Sequence, residues 1–132
     1  MEPYDEARQM LAAASRDFRA LTGMFDPEVF ADEVFGFHVQ QAVEKALKAW
    51  LSLLSVEYPR THDVSLLLGI LDAKGERVEL FEDLVEFNSY AVQYRYEAFT
   101  EVGEPLERPS VTRRVEELLR LVQLKVDQST RR

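Results

Sequence analysis

Apolar residues recur along this chain at helical spacing, in five runs that glycine and proline separate. From about Asp5 to Thr22, Ala7, Met10, Leu11, Ala14, Phe18 and Leu21 form one stripe. Gly23 offers a stop, and Asp26-Pro27 opens the next element. That second helix is expected from about Pro27 to Val56, roughly 45 Å at 1.5 Å per residue. Phe35, Val39, Ala42, Val43, Ala46, Leu47, Trp50, Leu53 and Leu54 share its broad apolar face. A second stripe carries Phe37, His38, Gln41, Glu44, Lys45, Lys48 and Ser52, and continues toward the N-terminus through Phe30 and Val34. Apolar residues on two faces mark this helix as central, or as reaching a second subunit.

Tyr58-Pro59 breaks the second helix, because the residue before proline is pushed out of the α region. Thr61 is the expected N-cap of a short third helix, with Val64, Leu67, Leu68 and Leu71 facing inward and Lys74-Gly75 at its end. A fourth helix is predicted over roughly Arg77 to Thr100, with Phe81, Leu84, Val85, Ala91, Val92, Ala98 and Phe99 on its apolar side. Gly103 and Pro105 interrupt again. Val111, Val115, Leu118, Leu119, Val122 and Val126 make a fifth helix from about Pro109 to Gln128, followed by a frayed tail. Strand alternation is nowhere sustained. Short connections favour antiparallel neighbours, so the pattern predicts an all-α, up-and-down bundle of four or five helices.

Composition agrees. The chain has 132 residues, enough for one domain (1–132, core about 5–128), and 46% are hydrophobic. It has no Cys, which excludes disulfides, a thiol nucleophile and Cys-ligated metals. Its most apolar segment, Ala46 to Leu54, is too short to span a bilayer, and the acidic N-terminus lacks a signal-like stretch. A soluble cytoplasmic protein is the expectation. Net charge is −8, which repels free nucleic acid and anionic lipid. The charge is uneven: residues 76–107 carry nine acids and two bases, residues 108–132 seven bases and three acids. The acidic stretch reads as a solvated face, with docking of a basic partner as the alternative.

Two polar residues stand where the fourth run calls for apolar ones: Asn88 and Arg95, two turns apart. A buried guanidinium needs a partner, and Glu44 on the polar stripe of the second helix is the expected one. This seam reads either as an ion pair that sets helix register or as a groove in which Arg95, Lys45, Lys48 and His38 hold a phosphate. His38 and His62 fall on different helices, so no metal-ligating His pair exists at helical spacing, and nothing calls for a cofactor. His62 precedes Asp63 and reads as a helix-start residue. Tyr90, Tyr94 and Tyr96 flank Arg95 and serve either packing or stacking on a base.

Gln40-Gln41-Ala42-Val43-Glu44-Lys45-Ala46-Leu47-Lys48-Ala49, then Pro59-Arg60-Thr61-His62-Asp63-Val64, then Tyr94-Arg95-Tyr96, resemble in order and spacing the hallmark segments of the HEPN domain family. The likeness runs from about residue 7 to 125. It implies a helical bundle, usually a homodimer, often encoded beside a minimal nucleotidyltransferase in a toxin–antitoxin-like pair, with nucleotide binding in some members. Other members are metal-independent ribonucleases, in which an Arg is followed after roughly four to six residues by a His; there the imidazole acts as acid/base and the Arg holds the phosphate.

This chain departs from that motif. Ala31, Asp32 and Glu33 stand at the required offsets before His38, Ser55, Val56 and Glu57 before His62, and no His follows Arg95. The resemblance therefore implies the non-ribonuclease branch: no catalytic residue, and ligand-binding positions at Gln41, Glu44, Lys45, Lys48, His62 and Arg95. The alternatives are a ribonuclease toxin using Arg95 with another acid/base, and a purely structural helical dimer. Phe30, Val34, Phe37, Tyr90 and Tyr94 exceed what one thin core can house and are the expected two-fold interface.

Overall fold

Every third residue from Val78 to Phe87 is apolar, and that spacing shapes the least regular part of the fold. The computed structural model describes residues 2–91 and 105–129. It is all-helical in those residues: α1 (Pro3–Thr22), α2 (Asp32–Leu53), α3 (Val64–Ala73), a 3-10 helix (Glu79–Ser89) and α4 (Arg108–Ser129). No strand occurs among them, and none of their helices is long and apolar enough to cross a membrane.

α1 starts with proline in its first turn, beside Asp5 and Glu6, and has Arg19 in its last, an arrangement that complements the helix dipole. α2 is shorter than its periodicity suggests. At its start, Asp26 accepts from Glu28 N through its side chain, and its carbonyl accepts from Val29 N and Phe30 N. Residues 27–30 are thereby held in a turn, and the extended Ala31 is the N-cap. At its end, Ser55 N bonds Ser52 O and Val56 N bonds Leu51 O. This is the double bond of a Schellman cap, with Ser55 at φ +56° in the place glycine usually takes. The cap, not Pro59, stops the helix. Gly75 at φ +85° closes α3 with the same pair of bonds, Gly75 N to Asp72 O and Glu76 N to Leu71 O.

The N-cap of α3 is Asp63 rather than Thr61: its carboxylate accepts from Ser65 N and Leu66 N. Thr61 instead accepts from Asp63 N, ordering the turn before the cap. The fourth run also differs from expectation. Val78, Phe81, Leu84 and Phe87 are all buried, and their separation of three matches 3.0 residues per turn, so Glu79–Ser89 winds as a 3-10 helix. Residues 92–100, the second half of the helix predicted there, lie outside the described residues together with Tyr94, Arg95 and Tyr96.

α2 packs against α1, α3, α4 and the 3-10 helix, which makes it the central element. Phe35, Val39, Ala42, Val43, Ala46, Leu47, Ala49, Trp50 and Leu51 are buried along it, because elements surround it on most sides. Trp50 is the largest buried side chain. Its ring meets Phe81 edge-on at 6.3 Å, and its Nε1 donates to Glu76 Oε1 at 2.7 Å.

Candidate functional site

The polar stripe of α2 enters the bundle where the core would otherwise be aliphatic. Gln40 and Glu44, one turn apart, are both buried. Gln41 Nε2 donates to Gln40 Oε1 at 2.7 Å, which orients the Gln40 amide. Gln40 Nε2 then donates to Glu44 Oε1 at 3.1 Å and to the His62 carbonyl at 2.7 Å. Glu44 also receives His62 Nδ1 on Oε1 at 2.8 Å and Lys48 Nζ on Oε2 at 3.0 Å. Burial works to raise the Glu44 carboxyl. The hydrogen bonds from His62, Lys48 and Gln40, with the Lys48 charge, outweigh it and hold the group below its ordinary 4.5.

A second, separate network lies along the same helix. Asp17 of α1 accepts His38 Nδ1 at 3.0 Å on one oxygen and Lys45 Nζ at 2.7 Å on the other. Each network thus unites one carboxylate, one imidazole and one ammonium group. Each also ties α2 to another part of the chain, α1 in one case and the loop before α3 in the other. Of the six expected ligand-binding positions, Gln41, Glu44, Lys48 and His62 come together, Lys45 joins His38 in the other network, and Arg95 lies outside the described residues. The expected Arg95–Glu44 pair lies there too. Among the described residues, the donors to Glu44 are Gln40, Lys48 and His62.

Sequence reasoning missed Asp17 and Gln40. Asp17 sits one position before Phe18 of the α1 apolar stripe, and nothing in its spacing separates it from a solvated acid. Gln40 had a visible signal, as a polar residue one step from Val39 and flanked by the α2 core. Asn88, the other polar residue singled out on the fourth run, caps α3: Oδ1 accepts from Val64 N and Nδ2 donates to Asp63 Oδ1, both at 2.8 Å.

Arg108 was read only as the start of a basic segment, yet it is 4% exposed. It donates Nη1 to Met24 O at 2.6 Å and Nη2 to Phe30 O at 2.8 Å and to Asp32 Oδ1 at 2.7 Å. Its guanidinium also lies over the Phe35 ring, 5.0 Å from the centroid. One side chain of α4 thereby staples the turn that precedes α2.

The expected interface residues are half-buried. Phe30, Val34 and Tyr90 pack against the core, and the Phe37 ring meets His38 edge-on at 5.4 Å. Tyr94 is outside the described residues. No group of three or more His, Cys, Asp or Glu suited to a metal ion occurs among the described residues.

A helical bundle with this Gln-Gln-x-x-Glu-Lys seam on its central helix has a family match. The family model for the HEPN domain aligns with residues 5–125. The chain belongs to the HEPN domain family. No curated protein and no solved structure matches it. The HEPN match spans both polar networks, the α3 cap and the Arg108 staple.

Proposed function

We propose that this HEPN chain is a non-catalytic binding module that acts as the partner of a minimal nucleotidyltransferase. The observation that carries the reading is the closure of the seam. Lys45 and Lys48 are each paired with a carboxylate, and both imidazoles use Nδ1 to anchor on the same two groups. A catalytic pair for RNA cleavage needs a cation free to hold a phosphate beside an imidazole free to move a proton. Here the cations are neutralised in place, the Arg-to-His spacing of the ribonuclease members is missing, and the net charge of −8 opposes RNA approach.

Docking is then the function left for the surface. Phe30, Val34, Phe37, Tyr90 and Tyr94 form a two-fold interface between copies, and the dimer presents the partner-binding face. Nucleotide or phosphate contact falls to the rim of the seam at Gln41, Glu44, Lys45, Lys48, His62 and Arg95. It is weak, because a phosphate must compete with Asp17 and Glu44 for the lysines.

Co-expression with a minimal nucleotidyltransferase encoded beside the chain tests this reading. The two proteins should copurify through a size-exclusion step, with the HEPN chain dimeric at micromolar concentration. A chain that never retains the nucleotidyltransferase, or that sediments as a monomer, contradicts it.

A further inference from the structure

We infer that His62 is a phosphoryl acceptor, with Nε2 as the nucleophile and Glu44 as the carboxylate that activates it. The inference is independent of the nucleotidyltransferase reading. The His62 side chain is 60% exposed while Glu44 behind it is 5% exposed, so the dyad has a buried end and an open end. An ionised carboxylate only accepts hydrogen bonds, so the Nδ1 that meets Glu44 Oε1 at 2.8 Å carries the ring proton. The neutral ring therefore has its lone pair on Nε2. Gln40 fixes the same residue through its carbonyl at 2.7 Å, so both ring and backbone of His62 are clamped to α2. Lys48 and Gln40 in turn keep Glu44 ionised and oriented.

A carboxylate on Nδ1 raises the basicity of the far nitrogen and stabilises the cationic ring that forms when that nitrogen attacks. The fitting reagents are phosphoryl donors with a good leaving group, such as phosphoramidates and acyl phosphates. With phosphoramidate, the Nε2 lone pair attacks phosphorus, the P–N bond breaks, and ammonia leaves with the electron pair. The ring becomes a phosphorylated cation that keeps its Nδ1 proton against the negative Glu44, so no proton has to be removed.

His38 supplies an internal comparison. It has the same Nδ1-to-carboxylate contact, to Asp17, but is only 28% exposed and lies against the Phe37 ring. The experiment incubates the full chain with phosphoramidate at neutral pH and follows acid-labile phosphate on each histidine by mass spectrometry. A peptide covering residues 57–66, the His62→Gln variant and the Glu44→Gln variant are run alongside. Modification of His62 should be at least about tenfold faster in the folded chain than in the peptide, and faster than that of His38. Glu44→Gln, checked for folding by circular dichroism, should bring His62 down to the peptide rate, and His62→Gln should remove that label. Equal rates in chain and peptide, a faster His38, or a folded Glu44→Gln variant with the native rate would overturn the assignment. Should Glu44→Gln fail to fold, the comparison of chain with peptide decides alone.

Discussion

The Tyr90 ring rests on Gly36 of α2: a Cβ at that glycine would come within 2.5 Å of ring atom Cδ1. Glycine is therefore used inside a helix, where it ordinarily costs about 0.5–1 kcal/mol relative to alanine, to let an aromatic ring from the end of the 3-10 helix approach the backbone. Gly36→Ala should destabilise the chain by about 1 kcal/mol in chemical denaturation, as overpacking outweighs the propensity gain. In a Tyr90→Ala background the same substitution should instead stabilise by about 0.5–1 kcal/mol. A cycle without that change of sign would show that the contact does not constrain position 36.

Arg108 bridges two backbone carbonyls and Asp32 from a buried position. Arg108→Ala should cost about 3–5 kcal/mol, since it strands Met24 O, Phe30 O and the Asp32 carboxylate around a cavity. Arg108→Lys should recover only part of that, because an ammonium group lacks the planar fork that reaches several acceptors at once. Thermal unfolding of the three proteins checks both statements.

Ser55 holds the left-handed position of the α2 Schellman cap. Ser55→Gly should raise stability by about 1 kcal/mol, visible as a higher denaturation midpoint with an unchanged slope. A loss of stability would mean that the serine side chain contributes more than its backbone strain costs.

Much of this architecture was legible in the spacing of apolar residues, and what was not has local causes. The α1 and α4 boundaries, and the central place of α2, follow from unbroken stripes bounded by glycine and proline. The early end of α2 does not, because a Schellman cap built on serine looks in sequence like more helix. The period of three in Val78, Phe81, Leu84 and Phe87 was visible, but a helical reading absorbed it. At the site, Glu44 was found as a carboxylate on an otherwise apolar helix. Its partner His62 was placed at the α3 start, and only folding brings that loop against α2. Asp17 was indistinguishable from a solvated acid, since its role depends on which two side chains α2 presents to it.

The Glu44 carboxyl sits below its ordinary value, so the folded state binds its proton less readily than the unfolded chain does. Its contribution to stability is therefore fully present above about pH 4.5 and is lost as pH falls through the lower folded value. Glu44→Gln should flatten the acid limb of a stability-versus-pH curve and lower stability at neutral pH. An unchanged acid limb would show that other carboxylates set it.

Hydrolysis of RNA by the purified chain tests the central claim, a closed seam in a non-catalytic HEPN module, most directly. A structured RNA incubated with the wild-type chain and with Arg95→Ala should stay intact in both, to the level of a protein-free control. Cleavage by the wild-type chain that disappears in Arg95→Ala would contradict the account and make the protein a ribonuclease.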